Sequence, residues 1–182
     1  VKSRFFISPL LKIFKRVLGL IFSFAFIHFA FAFHGKEPVR QQYSVHKKNT
    51  SNIVEIDQRL MAALIRVESS NNPKAYCRRT GARGLTQITP AAWRDLVTYY
   101  PHKYRHLNYR RDIYNPEVAM NAGRDYLVLL KHYLRAKKIP VTLETLLAAY
   151  NWGINNLGRF GLHRAPRQTR RYIAKIRSIL EA

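Results

Sequence analysis

Cysteine and acidic residues are scarce in this chain, and strands leave no trace. There is one cysteine, Cys77, among 182 residues, so no intramolecular disulfide can form. The seven histidines are scattered and supply no metal-ligand constellation; neither a metal nor another cofactor is expected. Only 10 acids face 32 lysines and arginines, a formal charge of +22. That balance points to a polyanionic partner or surface. No convincing alternation of apolar and polar residues appears, which argues against a sheet-based fold. Internal repeats and low-complexity segments are also missing.

The first residues differ from the rest. Val1 to Arg16 carries Lys2, Arg4, Lys12, Lys15 and Arg16 and no acid. Val17 to Phe33 is apolar apart from Ser23 and His28, and contains the small-x-small pattern Ala30–Phe31–Ala32. A basic region, an apolar run and A-x-A is the order of a secretory signal peptide. The rival is an N-terminal membrane anchor, for which a 17-residue run is at the short limit. Both readings place the remainder outside the cytoplasm, with the periplasm as the expected compartment. Without residues 1–32 the chain keeps 27 cations and 10 acids, a net +17. Residues 33–50 are polar, basic and aperiodic and read as a linker, leaving 51–182 as one domain.

Helical signals fill that domain. Asn52 with Glu55 has the form of a capping box, followed by Ile53, Ile56, Leu60, Leu64 and Val67 on one face to about Ser69. Thr89–Pro90 is a cap and first-turn proline for a helix through Val97. Asn115–Pro116–Glu117 repeats the signal. Thr142 caps "LETLLAAYNW", and Tyr172, Ile173, Ile176, Ile179 and Leu180 mark a last amphipathic helix. Loops are expected at 70–88, 98–115 and 158–168. The fold class is mainly α.

Between Ala63 and Pro90 there is one acid, Glu68, among five cations. It sits where Asn71, Asn72 and Pro73 stop the first helix, beside the apolar face. A helix C-terminus and burial both raise a carboxyl's pKa. A carboxyl that keeps its proton in a cleft is what a general acid needs. A solvated glutamate at a frayed helix end fits the same position.

The blocks around Glu68 carry more information together. "ESSNNPKAYCRRTGARGLTQITP" resembles the first signature of the soluble-type lytic transglycosylases: E-S, N-P-x-A, G-A-x-G-L-M-Q and a late proline. "NPEVAMNAGRDYL" (115–127), "AAYNWG" (148–153) and "TRRYIAKI" (169–176) resemble the family's later blocks, in the same order. The resemblance covers about residues 55–180. It implies a lysozyme-like domain of the α+β class that cleaves peptidoglycan glycan strands between N-acetylmuramic acid and N-acetylglucosamine. It also implies a 1,6-anhydro product and Glu68 as the single acid/base.

Other positions carry over one by one. Gln87 matches a substrate-contacting glutamine, or is a loop-stabilising amide. Tyr150 matches a tyrosine whose hydroxyl lies near the acid, although its spacing is that of a core aromatic. Asn151 is a sugar contact or, preferably, a helix-end cap. Ser69 satisfies the local backbone more readily than it touches sugar. Three departures bear on subsite shape: Thr86 and Thr89 stand where relatives carry methionine, and Cys77 where serine is usual. Thr89 also suits an N-cap.

The alternatives are a goose-type lysozyme, which would use water, and a non-catalytic wall-binding module. Nucleic-acid binding is a third reading, from the tyrosines and cations of "PHKYRHLNYRR" (101–111). The export signal argues against it; the segment reads instead as part of a glycan cleft or as a basic face. Acidic wall polymers are expected partners, and a secretion or conjugation machine is a possible setting.

Overall fold

The computed structural model describes residues 54–182. The leader, the A-x-A pattern, the whole linker, Asn52 and Ile53 lie outside the described residues.

Helix α1 (Gln58–Ser69) starts later than the Asn52 pattern predicts. Asp57 is its cap: the carboxylate accepts from Leu60 N at 2.8 Å. A charged cap facing the positive end of the helix dipole explains this start. Ser70 and Asn71 then adopt left-handed backbone at φ 54° and 64° and end the helix.

The other predicted caps are present. Thr89 accepts from Ala92 N and opens α2 (Pro90–Tyr99). Asn115 accepts from Glu117 N and Val118 N and opens α5 (Pro116–Ala136). Thr142 and Thr145 form a reciprocal capping box for α6 (Leu143–Trp152). The segment between α2 and α5 is not an open loop. It contains two single-turn helices, α3 (Pro101–Tyr104) and α4 (Tyr109–Asp112). A further short helix, α7 (Ile154–Phe160), follows Gly153, and a 3₁₀ turn (Leu162–Arg164) leads to α8 (Arg167–Glu181).

Among the described residues, two cores form. In one, α1, α5, α6 and α8 enclose Leu64, Leu127, Leu130, Leu134, Leu146 and Ile176, all with no exposure. Each such side chain contributes about 1.5–3 kcal/mol through burial. In the other, Leu85, Ile88, Trp93, Leu96 and Ile113 gather under α2 and the start of α5. Tyr126 and Tyr150 pack against both, so the two clusters meet along α5 and the end of α6.

The loop 70–88 is held by its own backbone. Arg83 forms antiparallel bridges with Tyr76 and Ile88, which are the β content of the described residues. Cys77 N donates to Ala82 O at 2.9 Å, and Gly84 N to Ala75 O at 3.0 Å. Gly84 has φ +74°, and a Cβ there would collide with the Ile113 carbonyl. Thr86 anchors the loop to α5: its hydroxyl donates to Ala119 O at 2.7 Å, fully buried. Opposite it, Gly123 has no room for a side chain, since a Cβ would lie 2.5 Å from Thr86 Cγ2.

Gly123→Ala should therefore lose about 1–2 kcal/mol in urea denaturation, because overpacking outweighs the helix-propensity gain of about 1 kcal/mol. A more stable variant would contradict this account of the loop anchor.

Candidate active site

Glu68 occupies the last turn of α1, as its sequence position requires. The closing helix then brings a partner that the sequence did not single out. Tyr172 of α8 donates its hydroxyl to Glu68 Oε1 at 2.6 Å across 104 residues of chain. The amphipathic pattern assigned Tyr172 to the core, and at 7 % exposure it is core. The available signal was chemical: a buried phenol needs a partner for its hydroxyl.

Burial is the larger influence on the acid. Removal from water raises the Glu68 carboxyl from 4.5 to about 7, while the Tyr172 hydrogen bond pulls the other way. Desolvation wins because a single neutral donor cannot replace the hydration of a carboxylate. Tyr150 also feels the Glu68 charge, and burial holds both phenols far above their usual range. They remain protonated and act as donors. The Tyr150 hydroxyl donates to Thr86 O at 2.7 Å, and its ring meets Tyr126 edge-on at 5.6 Å. This bond fixes the loop 70–88 against α6.

Several predicted contacts are engaged within the protein. Gln87, at φ 48°, donates Nε2 to Gly84 O at 2.9 Å and Ala75 O at 3.2 Å; its amide ties the loop together. Ser69 Oγ donates to Ile65 O at 3.1 Å. Thr89 caps α2. Cys77 is half-buried and free, with Thr80 and Arg79 drawing its thiol pKa below the usual value. Asn151 is not a helix cap: its Oδ1 accepts from Thr169 Oγ1 at 3.0 Å and joins α6 to α8. Thr86, expected to alter subsite shape, points instead into the packing against α5.

In the segment 101–111, read from the sequence as part of a glycan cleft or as a basic face, the tyrosines are engaged within the protein. Tyr104 is 2 % exposed and donates to Asp125 Oδ2 at 2.7 Å. The Tyr109 hydroxyl lies 2.7 Å from both Gly81 O and Ile88 O. The phenols are committed to packing, whereas Lys103, Arg105, Arg110 and Arg111 are exposed and form a basic face. His102 and His106 are four residues apart, but α3 ends at Tyr104. Among the described residues no group of three or more His, Cys, Asp or Glu is placed to hold a metal.

The other carboxylates near the matching blocks have separate tasks. Asp57 caps the opposite end of α1. Asp112 pairs with Arg111 at 2.7 Å. Asp95 acts on Tyr126 and Tyr133. Among the described residues, burial and Tyr172 set the protonation of Glu68, with no contribution from a second carboxylate. The arrangement is one protonatable acid flanked by phenolic donors.

Residues 46–173, well over half the chain, match the transglycosylase SLT domain. The chain belongs to the transglycosylase SLT domain family. Its mainly α, lysozyme-like fold is that of the family. The chain is also similar to membrane-bound lytic murein transglycosylase E of Buchnera aphidicola subsp. Acyrthosiphon pisum (strain APS). The two are 28 % identical over 109 residues, 59 % of this chain and 48 % of the relative. The chain thus spans about half the length of the curated relative it matches. Glu68, the loop 70–88, Tyr150 and Tyr172 all fall inside the SLT match.

The Tyr172 bond sets a direction for pH dependence. It lowers the Glu68 pKa, so Tyr172→Phe should raise it. In the general-acid role expected for Glu68 only the protonated form works, so under that role the fall in kcat/KM on the alkaline side should move to higher pH. A hydrogen bond to a charged group is worth about 1.5–3 kcal/mol, or about 1–2 pH units. A pH–rate profile with an unmoved or acid-shifted limb contradicts this role.

Proposed function

We propose that the chain is a peptidoglycan lytic transglycosylase in which Glu68 is both general acid and general base. Protonated Glu68 donates to the glycosidic oxygen between N-acetylmuramic acid and N-acetylglucosamine, and the anomeric C–O bond breaks. The muramoyl 6-hydroxyl attacks the anomeric carbon while the Glu68 carboxylate takes its proton. The product is a 1,6-anhydro ring, the leaving sugar gains a 4-hydroxyl, and no water is consumed.

The observation that carries this reading is the state of Glu68: half-buried, raised by desolvation to about 7, and without a second carboxylate acting on it among the described residues. A retaining or inverting hydrolase ordinarily uses two carboxyl groups. An internal hydroxyl as nucleophile removes that need, and a pKa near neutrality suits one group that gives and then takes a proton. The SLT family match and the murein-acting relative support the substrate class.

Residues 1–32 are proposed as the export signal, 33–50 as the linker and 51–182 as the catalytic domain, which would place the domain where murein lies. Among the described residues no helix is long and apolar enough to cross a membrane. Basic residues on the exposed face around 101–111 are proposed to attract acidic wall polymers.

Mass spectrometry of muropeptides released from purified sacculi tests the reaction. The expected products are lighter by one water than hydrolase products and resist borohydride reduction. Reducing muramic acid ends would instead assign a hydrolase. Glu68→Gln should lower turnover by at least the roughly 10²–10⁴-fold typical of acid–base catalysis.

A further inference from the structure

An open groove of about 560 Å³ lies where the starts of α1 and α6 meet the end of α8. Val54, Leu60, Leu143 and Leu180 form its apolar lining. Glu55, Asp57 and Glu144 stand among them, with Arg59 as the one cation of the lining among the described residues. This is the end of α1 remote from the acid. Asp57 caps the helix start and Glu68 lies in its last turn, about 16 Å farther on at 1.5 Å per residue.

The groove reverses the charge of the chain. Overall 32 cations face 10 acids, whereas here three acids face one cation. That cation is engaged, since Arg59 Nη2 donates to Leu180 O at 2.8 Å. Glu144 shares Arg177 with Glu181, so two carboxylates face one guanidinium. Asp57 uses one oxygen, Oδ1, for the helix cap. Glu55 is exposed and has no cationic partner among the described residues. Lys131 fixes the wall by donating to Val54 O at 2.7 Å.

We infer that this groove docks a cationic segment of a partner protein, with apolar side chains seated in it and lysines or arginines against its carboxylates. Burial on the apolar lining supplies attraction, and the carboxylates select the charge. The same carboxylates disfavour nucleic acid, anionic lipid and acidic wall polymers, which the basic faces elsewhere attract. A second copy of the chain is disfavoured too, because a net charge of +22 repels its like. The volume falls within the roughly 300–1,000 Å³ of ligand-sized sites, room for a few side chains. With groove and acid at opposite ends of α1, a partner held here leaves Glu68 open. The inference is independent of the reaction assigned to Glu68.

A proton–nitrogen NMR titration of the full chain with a blocked Lys-Leu-Lys-Leu-Lys peptide tests it. The positive charge of the chain suppresses adventitious binding of this probe. The amide signals of Glu55, Leu143 and Leu180 should move. A Lys-Ser-Lys-Ser-Lys analogue should bind about tenfold more weakly, since it loses the apolar burial. Glu55→Lys, at an exposed position, should weaken the leucine peptide by about tenfold, because one attraction becomes a repulsion. Unmoved signals at the groove overturn the inference, as does equal binding of the serine analogue or an unchanged affinity in Glu55→Lys. Binding that appears only after Lys47→Gln and Lys48→Gln makes the chain's own preceding segment the occupant. Self-association in sedimentation that Glu55→Lys abolishes makes it a second copy. Either result removes the partner protein.

Discussion

A carboxyl partly withdrawn from water at the end of a helix is the constraint around which this domain is arranged. Glu68 ends α1, where the helix dipole already disfavours negative charge. Burial takes it further, to about 7. The arrangement has a thermodynamic sign. Folding favours the protonated form, so the favourable contribution is complete below the ordinary value of 4.5 and is lost as pH rises through about 7. The difference is on the order of 3 kcal/mol. The Tyr172 bond limits this cost by offering the carboxylate one donor.

The surrounding fold holds that constraint in place. Tyr150 links α6 to the loop through Thr86 O, and the Thr86 hydroxyl links the loop to α5. The absence of a Cβ at Gly123 lets the loop approach α5 closely. Asn151 ties α6 to α8 through Thr169, one turn before Tyr172. The residues beside the acid are thus positioned by bonds between helices, and many polar groups that resemble sugar contacts are satisfied within the protein.

Local signals in the sequence carried much of the fold. Thr89–Pro90, Asn115–Pro116 and Thr142 each announce a helix start because capping is a property of adjacent residues. The first helix shows the limit of that logic. Asn52 and Asp57 both precede apolar periodicity, and Asp57 makes the cap. The single turns α3 and α4 were hidden in a segment dense with cations and tyrosines, where no hydrophobic period has room to develop. Glu68 was legible from its helix-end setting and neighbouring blocks. Its bond to Tyr172 was not, because residues 104 positions apart are joined only by tertiary packing. Gln87 and Asn151 were recognised as polar residues of matching blocks, but sequence does not reveal which partner an amide chooses.

The central claim is that burial, rather than a second carboxylate, keeps Glu68 protonated near neutral pH. Carbon-13 NMR of side-chain carboxyls tests it most directly, with the Glu68 resonance assigned by its disappearance in Glu68→Gln. The account predicts a titration midpoint of about 7 for this carboxyl. A midpoint close to the ordinary glutamate value of 4.5 would contradict it.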